Sequence, residues 1–203
     1  MNDGNYLRFG SYEKTLKAVS KCGYFLRVVE DQTDELCLAA VRQFEGALLY
    51  VKNQTEEICL EAVRCHRSAL RYVREQTEAI CLRAMEVHGG FTIQYVREPT
   101  VNTYLMAVSL NGLVLEHIKD QTEEICLMAI KENCSVLRYV HDQNMWICLE
   151  AFRLLDANPH EISSIHDGAK KSMFGNIKDP ELRAQVSDYL ENRRFMRTKS
   201  AKR

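Results

Sequence analysis

Polar and apolar positions recur along this chain with a fixed step. The run Gln54-Thr55-Glu56-Glu57-Ile58-Cys59-Leu60-Glu61-Ala62-Val63 opens on four polar residues and then turns apolar. Copies begin at Gln32, Gln76, Gln121 and Gln143, a weaker one at Pro99 and the weakest at Ser11. The step is 22 residues, apart from one of 23 between Thr77 and Thr100. Self-similarity at such a period is the signature of a repeat architecture, in which no unit buries its apolar face alone and neighbours must stack.

Each unit reads as two short helices. Thr33, Thr55, Thr77, Thr100 and Thr122 stand where an N-cap hydroxyl would take up a first-turn N–H. Acids follow at once, as in Glu56-Glu57 and Glu123-Glu124, where the helix dipole favours negative charge. Ile58, Cys59, Ala62 and Val63 then spread apolar character over a wide arc, which suits a helix packed on both sides. The first half is expected to close near Gly46, Gly89-Gly90 or Asn111-Gly112, where glycine or asparagine reads as a C-cap. The second half, exemplified by Ala69-Leu70-Arg71-Tyr72-Val73, places Leu70 and Val73 on one face of a short helix. A polar link leads to the next threonine.

The pattern predicts an all-α fold, a solenoid of stacked short helical hairpins with a C-terminal capping helix. Residues 1–10 form an N-terminal cap segment, 11–155 the repeats, 156–192 the C-terminal capping helices and 193–203 a basic tail. Six complete units run to Asp142, and a seventh first helix follows. After Asp156 the repeat dissolves. Asn158-Pro159-His160-Glu161 and Asp179-Pro180-Glu181 are helix starts. Leu182, Val186, Tyr189 and Leu190 stripe the last helix at helical spacing.

Charge and cysteine content sharpen this picture. The formal net charge is −1, yet Arg193, Arg194, Arg197, Lys199, Lys202 and Arg203 crowd the end without an acid among them, so the body is acidic. Five of the eight cysteines, Cys37, Cys59, Cys81, Cys126 and Cys148, share one repeat position. Stacked helices sit about 8–10 Å apart, and a disulfide needs Cα atoms within about 7 Å. The column is therefore expected to be buried thiols, as in an intracellular, reducing compartment. No apolar run is long enough to span a membrane, and no signal peptide is evident.

The phrase Gln-Thr-x-x-Ile-Cys-Leu-x-Ala-Val followed by Ala-Leu-x-Tyr-Val resembles a repeat family of giant viruses of amoebae and amoeba-associated bacteria. The likeness covers residues 11–155, with departures at Thr15, Pro99 and Tyr104. It implies a helical repeat protein, in a host cytoplasm or virion if viral. No activity comes with it, so no catalytic residue is carried over.

Candidate chemistry is sparse. The glutamine column can tie an inter-repeat loop to its neighbour, since an amide both donates and accepts. Tyr50, Tyr72, Tyr95 and Tyr139, with His117 in register, form a column that could receive a partner; Tyr104 joins it through the irregular stretch from His88 to Tyr104. Stacked aromatics along a solenoid can also read bases, but an acidic body repels phosphate. His66 and His88 share a position one repeat apart, too far for one metal ion. No nucleophile–base pair, phosphate loop or metal-hydrolase motif is present. The expectation is thus a non-enzymatic protein-binding scaffold without metal or cofactor. The alternative is nucleic-acid association through the basic tail or the tyrosines.

Overall fold

The computed structural model describes residues 10–157 and 171–200. Among them there is no strand. Helices α1 (Tyr12–Lys21), α2 (Asp34–Gln43), α3 (Glu56–Cys65), α4 (Glu78–His88), α5 (Val101–Leu110), α6 (Glu123–Glu132) and α7 (Met145–Ala157) are the first halves of the seven repeats. Six 3-10 helices are the second halves: η1 (Gly23–Val28), η2 (Glu45–Tyr50), η3 (Arg67–Tyr72), η4 (Gly90–Tyr95), η5 (Gly112–His117) and η6 (Cys134–Tyr139). A last helix, α8, spans Pro180–Ser200. The chain divides into two compact units, residues 1–106 and 107–203.

The choice of a 3-10 helix for the return leg has a geometric reason. Ten α-helical residues rise about 15 Å, and six 3-10 residues rise about 12 Å. Two legs of similar length therefore fit one 22-residue step. In the first unit α1 to α4 pack successively as one layer, and η1 to η4 as a second. In the second unit α6 packs on α7, and η5 on η6, in the same way. The fold class read from the pattern is therefore present: all-α, with short helical hairpins stacked on one another.

The caps follow the sequence at one end of each helix and depart from it at the other. Thr33, Thr55, Thr77 and Thr122 each accept from the N–H three residues on, and Ser11 does so for α1. Thr100 accepts from Thr103 N, and Asn144 from Ile147 N. Glycine, however, is not the usual C-cap. That place is held by Cys22, Phe44, His66 and Asn133 in extended backbone. Gly46 and Gly112 lie inside 3-10 helices instead. A Cβ on Gly112 would come 2.6 Å from Ala129 O, and one on Gly23 would come 2.4 Å from Ala40 O. Those two glycines answer a close approach of the next repeat's helix. Gly89 caps as expected, at φ 84°, and it is the extra residue of the 23-residue step; Asn111, whose N–H donates to Ala107 O, closes α5. Helix α4 has 11 residues where α2 and α3 have 10, and a left-handed glycine absorbs the surplus.

Several repeats bury the same positions. Leu36, Ile58, Ile80 and Ile125 are buried, as are Ala40, Ala62, Ala84 and Ala129 one turn on, and Leu48, Leu70 and Leu137 in the 3-10 layer. Alanine at its position lets successive helices approach closely. The five column cysteines are free and buried. Burial pushes the Cys148 thiol up to about 11, and burial followed by the nearby acids Asp34 and Asp142 does the same for Cys37 and Cys126.

The seventh repeat does not stop at α7. Residues 171–176 are helical. Met173 and Ile177 are buried, and the Phe174 ring packs 4.5 Å from that of Phe152 on α7. This segment takes the place of the missing second half. The expected helix start at Asn158 lies outside the described residues, as does the N-terminal cap segment before Gly10. Helix α8 continues past residue 192, so the backbone of Arg193, Arg194, Arg197 and Lys199 is helical. The side chains of these four, with Lys202 and Arg203, lie outside the described residues. Of the predicted stripe, Val186 is buried and Tyr189 is exposed.

Candidate functional site

Two surfaces repeat along the molecule, a polar seam beside the inter-repeat loops and an outer face made by the first helices. The glutamines build the seam. Gln54 Nε2 donates to Leu48 O (2.8 Å) in the 3-10 helix before it and to Tyr72 O (3.1 Å) in the 3-10 helix after it, while Arg74 N donates back to Gln54 Oε1 (2.8 Å). Gln32 makes the same three bonds to Leu26, Tyr50 and Lys52; Gln76 makes them to Leu70, Tyr95 and Arg97. In the second unit Gln121 repeats the set with Leu115, Tyr139 and His141. The thiols of Cys37, Cys59 and Cys126 face the oxygens of Gln32, Gln54 and Gln121 at 3.7–3.9 Å. Position 99 holds proline, which has no amide to offer.

A second, basic rung runs beside the first. Lys52 Nζ donates to Glu30 O, Arg74 to Val51 O and Lys52 O, and Arg97 to Arg74 O. The last rungs are the informative ones. Gln143 donates to Leu137 O (2.7 Å) and Asn176 O (3.0 Å), and accepts from Lys178 N (2.8 Å). Lys178 Nζ donates to Val140 O (2.6 Å). Asn176 and Lys178 thus occupy the places that Tyr139 and His141 hold one repeat earlier. Sequence reasoning missed them. The signal was Met173-Phe174 four and three residues ahead of Ile177-Lys178-Asp179, a degraded copy of Val136-Leu137 ahead of Val140-His141-Asp142.

The tyrosine column lies on the 3-10 layer. Tyr50, Tyr72, Tyr95 and Tyr139 are half-buried and His117 is exposed. The backbone carbonyls of all four tyrosines belong to the seam. Their rings are used within the chain as well: Tyr24 meets Tyr50 edge-on at 5.4 Å, Arg71 sits 4.8 Å over Tyr95, and Arg138 sits 5.0 Å over Tyr139. Tyr104 is half-buried on α5. His66 and His88 place Nε2 at 3.2 Å from Arg42 O and 2.8 Å from Val63 O, carbonyls near the C-terminal ends of the preceding helices. Among the described residues no cluster of three His, Cys, Asp or Glu side chains could hold a metal ion.

On the outer face a groove lies in each compact unit, at equivalent repeat positions. The groove over α2, α3 and α4 has a volume of about 750 Å³ and a floor of Leu38, Leu60 and Leu82. Charge crosses that floor. Glu61 takes Arg42 at 2.6 Å and Arg64 at 2.8 Å, and Arg64 and then Arg42 hold its carboxyl down at about 2. Arg83 pairs with Glu86 at 3.0 Å. The groove over α6 and α7 measures about 600 Å³. Met128 stands where Glu61 stands in the first groove, and Trp146 where Ala79 stands. Trp146, the only tryptophan of the chain, is 57% exposed. Leu127 and Leu154 complete the apolar lining. Glu150 pairs with Arg153 at 2.5 Å on the rim.

No protein-family model, curated protein or solved structure matches this chain. Its surfaces therefore have to be weighed by their chemistry. The glutamines of the seam have spent their amides on the chain itself. The groove of α6 and α7 presents an apolar floor and an uncovered indole.

Proposed function

We propose that this chain is a non-enzymatic helical-repeat scaffold whose outer helical face binds a protein partner. The observation that carries this reading is Trp146, more than half exposed on the wall of a groove lined by Leu127, Met128 and Leu154. Tryptophan is enriched among the residues that dominate binding energy at protein interfaces, where it fills or lines a pocket that excludes water. A repeat stack is also the usual support for an extended recognition surface. Membership of the amoebal-virus and bacterial repeat family is part of this proposal, as is residence in a reducing compartment, which suits five buried free thiols. No helix among the described residues is long and apolar enough to cross a membrane.

Nucleic-acid binding through the tyrosines is less well supported. The rings of Tyr95 and Tyr139 already lie under arginines of the same chain. The test is a photo-crosslinking amino acid placed at Trp146 in one version of the chain and at Tyr72 in another, each irradiated in cells that produce it. A discrete protein adduct at 146 and none at 72 is expected. Nucleic-acid adducts, or protein adducts at 72 alone, would overturn the reading.

A further inference from the structure

We infer that the occupant of the α6–α7 groove is an amphipathic helix of about three turns, lying antiparallel to α6 and α7. This rests on the protein-binding reading of the groove and adds the partner's chemistry and polarity. Helix α6 has ten residues, which is about 15 Å of groove floor. Leu127 and Met128 supply apolar surface at its middle, and Trp146 and Leu154, eight residues apart on α7, extend that surface along the other wall. Such a surface fits the i, i+3, i+4 and i+7 side chains of a helix laid in a groove. An extended strand is a poorer occupant, because its backbone would need an unpaired sheet edge, and no strand exists among the described residues.

Charge sets the direction. Glu123 and Glu124 line one end of the groove, in the first turn of α6, and exposed Lys131 lines the other, in its last turn. Successive first helices run the same way, because each is followed by a 3-10 return leg. The α6 and α7 dipoles, positive at this N-terminal end, reduce that polarity without reversing it, because the two glutamate charges outweigh about half a charge per helix. An ordinary amphipathic helix carries acids in its first turn and bases in its last. Laid antiparallel, it sets its bases against Glu123 and Glu124 and its acids against Lys131, and it opposes the dipoles beneath it. Laid parallel, it meets like charge at both ends. The first unit's groove offers no such site, since Glu61 and its two arginines occupy the equivalent surface.

The test is a peptide-display selection on the full-length chain, with about 14 randomised positions, long enough for three helical turns. Selected peptides are expected to show apolar residues at helical spacing, acids near the N-terminus and bases near the C-terminus. They should shift the emission of the sole tryptophan to shorter wavelength and bind Trp146→Ser at least about tenfold more weakly, as loss of a central aromatic anchor does. A chain carrying Glu124→Lys and Lys131→Glu should select the reversed charge order; if it does not fold, Lys131→Glu alone, at an exposed last-turn position, should weaken the original peptides. No enrichment over Trp146→Ser, enrichment without helical spacing, or an unchanged charge order on the swapped groove would overturn the inference. A protein adduct at position 146 alongside a failed selection would sink the helix and leave the scaffold reading standing. Self-association of the chain through the same groove, lost in Trp146→Ser, would name a second copy as the occupant and also overturn it.

Discussion

The seam and the outer face of this molecule belong to the same repeats, yet they obey opposite rules. Along the seam the residue type is fixed, because each glutamine must serve two carbonyls and one N–H at once. Along the outer face the residue type drifts, because nothing in the chain makes the same demand there. Glu61 and Met128 hold one repeat position, and Ala79 and Trp146 another. The difference separates two meanings of repetition. A column that recurs reports what the backbone requires, while the departures from a column show where a surface is open to another use.

That contrast can be broken from the core outwards. Leu70 is wholly buried in the 3-10 layer. Leu70→Ala should cost about 2–5 kcal/mol through lost burial and a residual cavity, as read from denaturant unfolding. A smaller penalty would mean that the layer collapses around the gap and that the stack is loosely packed.

The seam comes next. Gln54→Ala leaves Leu48 O, Tyr72 O and Arg74 N without their amide and should cost about 1–3 kcal/mol. Gln143→Ala should cost the same, because Asn176 and Lys178 complete its rung as fully as a repeat would. Were Gln143→Ala nearly neutral, the C-terminal segment would be an incidental neighbour rather than the last half-repeat.

Much of the fold was legible in advance. The threonine caps, the 22-residue step and the tie between glutamine and the next loop all follow from short-range chemistry that a single repeat spells out. Three things were not legible. The glycines look like C-caps by type, but Gly23 and Gly112 are small because a neighbouring helix carbonyl approaches, which only packing reveals. The closing half-repeat at 171–178 is separated from α7 by residues with no repeat pattern, so periodicity loses it. The tyrosine column draws attention because aromatics recur. The carbonyls of its four tyrosines and the rings of Tyr50, Tyr95 and Tyr139 serve the chain, whereas Trp146 occurs once and no repeat signal marks it.

Titration gives a smaller effect. The Cys148 thiol is held at about 11 by burial, against an ordinary value near 9. A folded pKa raised in this way contributes stability that is complete below pH 9 and is lost as the pH climbs from 9 to 11. The alkaline limb of a pH–stability curve should therefore be shallower in Cys148→Ala than in the parent chain. In native protein at neutral pH a thiol reagent should modify exposed Cys22 first and reach the five column cysteines only through unfolding. Immediate reaction of the column would show that the seam opens locally.

The smallest effects belong to the outer face. Trp146→Ala should leave stability within about 0.5 kcal/mol of the parent, as surface substitutions do. Glu61→Gln should cost about 1 kcal/mol or less at neutral pH, because its arginine partners are half exposed and screened. Its carboxyl is held at about 2, so that contribution is present above the ordinary carboxylate range and fades as the pH falls towards 2. A large loss of stability in Trp146→Ala would erase the distinction between seam and face.

The central claim is that one chemical rung, repeated, joins these hairpins and that the chain supplies its own final copy. Hydrogen exchange at the backbone amides that donate to the glutamines tests it most directly. Lys52, Arg74, Arg97, His141 and Lys178 all lie in exposed loops, so only the rung protects them. All five should exchange far more slowly than Asn53 and Glu75 beside them, with Lys178 as protected as His141. Exchange of Lys178 at the rate of an open loop, while His141 stays protected, would contradict it.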